Sequence, residues 1–143
     1  MRYLLDTDIC VYLARRKAPG VLARFRVLRP GDVGMSVITH LEMVHGAWKS
    51  QRREDNLGRI EELESLIPVL PLDASVGLHY GQVRTELEGK GSRIGAYDLL
   101  IAAHALSLGL TLVTNNVREF RRIPKLPVEN WVEEQPQEGR RHG

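Results

Sequence analysis

Cysteine is almost absent from this chain: Cys10 is the only one in 143 residues. A single thiol excludes an internal disulfide and is compatible with a reducing compartment. The apolar residues around Cys10 predict that it is buried on the first helix, as a structural thiol and not a nucleophile. No apolar run approaches the ~20 residues that a membrane-spanning helix needs, and a strand begins where a signal peptide would have its apolar core. We therefore expect a cytoplasmic protein with no membrane partner.

An excess of charge of either sign is also lacking, since 20 lysines and arginines face 18 aspartates and glutamates, for a net charge of +2. The distribution is uneven. Residues 1–30 hold seven basic side chains against two acidic ones, and seven minus two gives a local charge of +5; residues 117–125 form a second basic cluster. Such clusters attract phosphate backbones, although a solvated basic face explains them equally well.

The length and the 43% hydrophobic content suit one globular domain, which we place at residues 1–132, with a disordered tail at 133–143. Apolar runs bounded by turn signals alternate with stretches of helical period, which predicts a parallel sheet of four to five strands between two helical layers, an α/β/α architecture. Strands are predicted at 3–5, 32–38, 67–72, 110–116 and near 127–131. Helices are predicted at 8–16, 19–28, 39–49 (capped by Thr39), 52–66, 73–89 and 96–109.

Two carboxylates, Asp6 and Asp8, come directly after the first apolar strand. Capping of the following helix accounts for one acid but not for both. In an open parallel sheet, ligands bind at the carboxyl ends of the strands. This edge of the sheet is therefore the predicted functional site.

Other polar residues are predicted to reach the same edge. Glu42 lies about one turn into the helix after the second strand, Asp98 begins the helix at 96–109, and Asn115 and Asn116 end the most strand-like run. Each has a simpler explanation: Asp98 as a helix N-terminal acid, Glu42 as a surface ion-pair partner, and the asparagines as turn residues. A coincidence of all four is much less expected than any one of them.

A cluster of this kind needs a cation. Two carboxylates 4 Å apart repel by roughly 4 kcal/mol at an effective dielectric of 20, so three partly buried ones do not all stay ionised unaided. The candidate ligands are all oxygens, and the five histidines are scattered along the chain. This donor set favours Mg²⁺ or Mn²⁺ over zinc.

Four segments, "LLDTDI", "ITHLEMVHGA", "GAYDLLIAAHA" and "TLVTNNVREF", stand in an order and spacing that resemble the PIN-domain ribonucleases, especially the VapC toxins of bacterial toxin–antitoxin pairs. The resemblance covers residues 2–131. It implies Mg²⁺-dependent or Mn²⁺-dependent cleavage of RNA phosphodiester bonds and a homodimer. It also implies inhibition by a VapB-like antitoxin, through which alone the chain would contact operator DNA.

Carried over residue by residue, the resemblance assigns Asp6, Glu42 and Asp98 to an acidic metal site. The family's fourth position is often an aspartate in a T-N-D pattern, and here it is Asn116, which puts a second metal ion in question. Asn115 competes with Asn116 for this place, because an error of one residue in the end of the strand exchanges the two side chains.

Further contacts are expected around this site. Thr114, Asn115 and Arg93 are expected to contact the RNA or hold waters. Val11, Tyr12 and Trp48 line the antitoxin groove or, equally well, belong to the core.

Two alternatives from other classes remain open. "DTDICV" is close to the D-x-D-x-[TV] motif of haloacid-dehalogenase-like phosphatases, but those enzymes need a lysine and a later acidic pair, and here the later strand ends in "TNN". A non-catalytic nucleic-acid-binding regulatory module is the other alternative, and it predicts that the acids can be replaced without loss of function.

Overall fold

A computed structural model describes residues 1–29 and 31–132, and the tail predicted at 133–143 lies outside these residues. Five parallel strands form one sheet in the order β3-β2-β1-β4-β5. The strands are β1 (Tyr3–Leu5), β2 (Val33–Ser36), β3 (Val69–Leu70), β4 (Thr111–Val113) and β5 (Val128–Glu129). The predicted α/β class with a central parallel sheet is confirmed.

Seven helices flank the sheet in the described ranges. They are α1 (Thr7–Ala14), α2 (Pro19–Arg26), α3 (Val37–Lys49), α4 (Arg53–Glu64), α5 (Ser75–Gly89), α6 (Ala96–Leu108) and α7 (Val117–Phe120). Helices α1 to α4 contribute to one apolar core, and α5 to α7 dominate the other. Within 1–29 and 31–132, no helix is long and apolar enough to cross a membrane.

The central strand β1 separates the two cores by simple alternation. Tyr3 and Leu5 face the core of α1 to α4, whereas Leu4 faces the core of α5 to α7. Cys10 on α1 is fully buried, as predicted, with its Sγ 3.8 Å from the carbonyl oxygen of Leu5. Burial raises the pKa of this thiol well above its usual value, which makes it a poor nucleophile.

The boundary between β2 and α3 differs from the prediction. The apolar run was expected to stay extended through residue 38, with Thr39 as the cap. Instead, the Oγ of Ser36 accepts a hydrogen bond from the Ile38 backbone N–H at 3.1 Å and caps a helix that begins at Val37. Thr39 is buried inside the helix. Glu42 therefore lies in the second turn of α3, on the side that contacts α1.

Candidate active site

Asp6 occupies the junction between β1 and α1. Its Oδ1 accepts a hydrogen bond from the Thr7 backbone N–H at 2.8 Å, so that Asp6 is the N-cap of α1. Its Oδ2 accepts a hydrogen bond from the hydroxyl of Thr114, just past β4, at 2.7 Å. Asp6 is 5% exposed, and both of its oxygens are held, one by the first residue of α1 and the other by the residue after β4.

The pKa of Asp6 is raised to about 7. Burial is the largest cause, followed by the charge of Asp8, while the hydrogen bonds from Thr114 and Thr7 act in the opposite direction. Asp6 is thus a carboxylate at the point of losing its charge at neutral pH. A nearby cation stabilises its ionised form.

Asp8 makes a contact of a different kind from that of Asp6, which explains why two acids follow β1. Because Asp6 already caps α1, the Oδ2 of Asp8 accepts a hydrogen bond from the Asn115 backbone N–H at 3.1 Å, which ties the segment after β4 to α1. Its Oδ1 is buried and has no hydrogen-bond partner among residues 1–29 and 31–132. Burial raises the pKa of Asp8 as well. An orphaned carboxylate oxygen of this kind fits a cation.

Glu42 reaches the same region from α3. Its Oε1 accepts a hydrogen bond from the hydroxyl of Thr7 at 2.6 Å, and that hydroxyl also lies 3.1 Å from the hydroxyl of Thr39. Thr7 directly follows the cap residue Asp6. The Glu42 carboxylate is therefore bound to the residue next to Asp6. Within residues 1–29 and 31–132, its second oxygen makes no hydrogen bond.

Asp98 lies in the first turn of α6, is half-buried, and has the carboxyl group of Glu119 on α7 as a close neighbour. Its pKa is raised to about 6, first by burial and then by Glu119, with smaller effects from Glu42 and Asp8. The acids from four parts of the chain thus act on one another.

The two asparagines diverge. The side-chain amide of Asn116 donates to Glu119 Oε1 at 2.7 Å. The side chain of Asn115 turns the other way, with its Nδ2 3.5 Å from the Tyr12 hydroxyl and its Oδ1 accepting from Asn130. Asn116, not Asn115, therefore lies on the acidic side. Sequence reasoning missed Glu119, although its place three residues after Asn116 on a helix brings the two onto one face.

Thr114 was expected to contact RNA, but its side chain is fully buried and its hydroxyl donates to Asp6. We therefore assign it to the positioning of Asp6. Arg93 is exposed on the loop between α5 and α6. Arg122 fixes this loop, because its guanidinium donates to the Ser92 hydroxyl at 2.8 Å and to the Arg93 carbonyl at 3.1 Å. The same guanidinium lies 3.5 Å from Glu119 Oε2, which links the loop to the acidic site.

The donor set at this edge fits a hard divalent cation. In the described part of the chain, no three His, Cys, Asp or Glu side chains already form a metal-ligand group. The carboxylates are instead held by hydroxyls and amides. All candidate donors are oxygens, one of them on Asp8 has no partner, and the pKa values of Asp6 and Asp98 are raised. Burial and the charges of neighbouring acids raise these pKa values, and a divalent cation among the oxygens would stabilise the ionised forms.

The family model of the PIN domain matches residues 3–126. The chain belongs to the PIN-domain family. Among characterised relatives, the tRNA(fMet)-specific endonuclease VapC of Shigella flexneri is 44% identical over 131 residues, which cover 92% of this chain and 98% of that protein. Ribonuclease VapC2 of Rickettsia felis is 40% identical over 132 residues, covering 92% of this chain and 98% of that protein.

Solved structures agree with this assignment. The VapBC2 complex of Rickettsia felis, bound to a DNA fragment from its promoter, superposes with a TM-score of 0.86 at 39% identity, covering 92% of this chain and 99% of that chain. The DNA-bound VapBC of Salmonella typhimurium superposes with a TM-score of 0.86 at 40% identity, covering 92% of this chain and 98% of that chain. The predicted membership among PIN-domain ribonucleases of the VapC toxin type is confirmed, and neither the phosphatase nor the non-catalytic interpretation agrees with it.

Proposed function

We propose that this PIN-domain chain is an endoribonuclease toxin that uses Mg²⁺, or Mn²⁺ in its place, and acts in the cytoplasm. The observation that carries the proposal is the buried acidic site at the carboxyl edge of the sheet, in a chain 40–44% identical to VapC ribonucleases. Asp6, Glu42 and Asp98 are the proposed ligands, directly or through water. Glu119 and the unpartnered oxygen of Asp8 complete the negative site.

The chain's own residues prepare the site for phosphodiester hydrolysis. Thr114 and the Thr7 backbone N–H orient Asp6, and the Thr7 hydroxyl orients Glu42 through its Oε1. We assign the other Glu42 oxygen to the attacking water, which it holds in line with the phosphorus. A divalent cation bound here supplies Lewis-acid polarisation of the phosphate and acidification of that water. Asn116 hydrogen-bonds Glu119 and keeps its carboxylate turned to the site.

We propose RNA as the substrate, with Arg93 as a backbone contact. Arg93 is exposed on the loop that Arg122 holds beside Glu119. An exposed guanidinium on this loop attracts the phosphates of RNA electrostatically. Because two relatives are named for tRNA(fMet), this tRNA is the first substrate to test.

The purified chain is expected to cut tRNA(fMet) in Mg²⁺ buffer, to stop on addition of EDTA, and to resume when Mn²⁺ is supplied in excess. The reason is that cleavage needs the polarisation of the phosphate and the acidification of the attacking water that a bound divalent cation supplies. Gel analysis of end-labelled RNA measures the rate. Glu42→Gln, prepared in parallel, controls for contaminating nucleases. Cleavage that persists in EDTA, or at full rate in Glu42→Gln, contradicts the proposed metal-dependent activity.

A VapB-like antitoxin is the proposed protein partner, since the similar solved structures are VapBC complexes. A cavity of ≈190 Å³ lies between α1, α3 and α4 and reaches from the acidic residue Glu42 to apolar wall residues such as Val11 and Met43. It combines anchoring sites for apolar side chains with a carboxylate that an arginine can pair. Tyr12 packs against the core, and Trp48, 54% exposed, lies outside this cavity beneath the guanidinium of Arg53.

Co-expression with an adjacent antitoxin gene is expected to yield a stable complex in which RNA cleavage is suppressed. Val11→Asp is expected to weaken this complex by about 10-fold or more, because it replaces an apolar wall residue of this cavity with a second carboxylate on the side of Glu42. Calorimetry measures the affinity, and light scattering of the free chain tests the proposed homodimer. Unchanged affinity for Val11→Asp excludes the groove as the antitoxin site, and a single-chain mass contradicts the homodimer.

A further inference from the structure

A second cavity, of ≈160 Å³, lies between the end of α5 and the start of α6. Its wall includes Tyr80, Arg84, Glu88, Arg93, Ile94 and Leu99. We propose that this cavity binds one unpaired base of the RNA next to the cleaved phosphate. The inference rests on the proposed ribonuclease function and adds to it a subsite that selects the strand.

The walls offer the flat surfaces that bases prefer. The guanidinium of Arg84 lies 5.9 Å from the centre of the Tyr80 ring and donates to the Tyr80 hydroxyl at 2.8 Å. Ile94 and Leu99 supply apolar contact on the α6 side. Aromatic rings and guanidinium planes both stack on nucleobases, and they accept an exposed base of a single strand, not one inside a duplex.

The charges of the cavity suit a nucleotide. Arg84 Nε donates to Glu88 Oε2 at 2.8 Å, and this pairing lowers the pKa of Glu88, so it is an ionised acceptor available to the amino group of a base. Arg84 and Arg93 carry two positive charges against the one negative charge of Glu88, so the cavity wall has a net positive charge. The positive excess suits the phosphate that accompanies the base.

The cavity and the acidic site meet at the loop between α5 and α6. Arg122 contacts both, because its guanidinium donates to the Arg93 carbonyl at 3.1 Å and lies 3.5 Å from Glu119 Oε2. The loop is fixed at Ser92, whose backbone N–H donates to the Leu87 carbonyl at 2.8 Å and whose hydroxyl accepts from Arg122. We place the phosphate of a base bound in the cavity on the side of Glu119.

The size of the cavity favours a single base over a larger ligand. Pockets for drug-sized ligands measure roughly 300–1,000 Å³, well above the volume of this cavity. Contact with an antitoxin side chain is the competing use of the cavity, and the experiment separates the two.

The test measures binding of a fluorescein-labelled single-stranded RNA of about 12 nucleotides in EDTA, where no cleavage occurs. Tyr80→Ala is expected to weaken binding about 5-fold to 50-fold, the effect of losing one stacking contact, and Tyr80→Phe is expected to rescue most of it. Because Tyr80 packs against the core, Arg93→Lys serves as a second variant, which keeps the charge and loses the plane. Arg26→Lys, which makes the same charge-preserving change at an exposed arginine on α2, is the matched control.

An RNA of equal length with abasic sites separates stacking from charge. The proposal expects wild type and Tyr80→Ala to bind it equally, and expects Tyr80→Ala to raise KM for tRNA(fMet) while kcat is retained. Equal binding of the normal RNA by wild type, Tyr80→Ala and Arg93→Lys overturns the subsite, and so does an effect confined to antitoxin binding. If only the nuclease proposal fails, RNA is not cleaved but the difference in RNA binding between wild type and Tyr80→Ala remains, because the binding measurement needs no catalysis.

Discussion

Asp6→Asn and Asp98→Asn are expected to abolish RNA cleavage, by more than about 100-fold each, and to raise the melting temperature of the metal-free chain. Even outer partners of metal ligands cost roughly 10-fold to 100-fold, and the ligands themselves cost more. The gain in stability has a separate origin. Each amide removes a charge that burial and neighbouring acids disfavour, as the raised pKa values of both carboxyls indicate.

The stability gain of Asp6→Asn depends on pH. The pKa of Asp6 is raised from 3.8 in the unfolded chain to about 7 in the fold, so folding favours its protonated form. That contribution is fully present below pH 3.8 and is lost as pH rises through about 7. The advantage of Asp6→Asn over wild type is therefore small near pH 4, grows up to about pH 7, and then stays constant. The pKa shift of about three units corresponds to a stability gain of at most about 4 kcal/mol for Asp6→Asn. The weakened contact with Thr114 reduces this gain by about 1 kcal/mol.

Thermal melting between pH 4 and pH 8 in EDTA, together with cleavage assays in Mg²⁺, measures both effects. Asp55→Asn removes the same charge from an exposed position on α4 and is the matched control, with activity and melting close to wild type. Full activity of both site variants contradicts the assigned roles of Asp6 and Asp98. A melting difference that does not change with pH contradicts the electrostatic explanation of the stability gain, but not the assigned roles of Asp6 and Asp98 in cleavage.

The elements around Asp6 could be predicted from local sequence, because a short apolar strand followed by acids and a helical pattern has few alternative structures. The end of β2 could not. Val37 and Ile38 are β-branched and favour extended backbone, whereas the cap at Ser36 depends on a single hydroxyl contact with the Ile38 N–H. Propensity is a weak guide where a cap decides the boundary.

The parts of the site that the sequence did not predict depend on long-range contacts. The hydrogen bond from Thr114 to Asp6 joins residues 108 apart in sequence, and the parallel pairing of β1 with β4 alone brings them together. In the sequence, Glu119 is one acidic residue within the basic cluster at residues 117–125. Only the fold shows that the short helix α7 turns it towards Asp98. Sequence identifies residue types suited to the chemistry, while the sheet order decides which of them meet.

The second large effect concerns the fourth acidic position. Asn116 brings no charge and uses its amide to bind Glu119 Oε1 at 2.7 Å, so Glu119 is the carboxylate available beside Asp98. We expect Glu119→Gln to weaken Mn²⁺ binding by about 10-fold or more, equivalent to about 1.4 kcal/mol, because a charged ligand contributes more than an amide. Asn116→Ala is expected to weaken binding less, since it removes only the group that orients Glu119.

Asn116→Asp tests the same position in the opposite direction. Without metal, the new carboxylate loses the hydrogen bond to Glu119 and faces it at short range, so the melting temperature is expected to fall. With Mn²⁺, the added charge is expected to tighten binding about 10-fold and to allow a second ion, because the site then holds a sixth carboxylate beside those of Asp6, Asp8, Glu42, Asp98 and Glu119. Calorimetric titration of Mn²⁺ into wild type, Glu119→Gln and Asn116→Asp decides between the two residues. If Asn116→Asp leaves affinity and stoichiometry unchanged while Glu119→Gln weakens binding, Glu119 occupies the fourth position and Asn116 serves only to orient it.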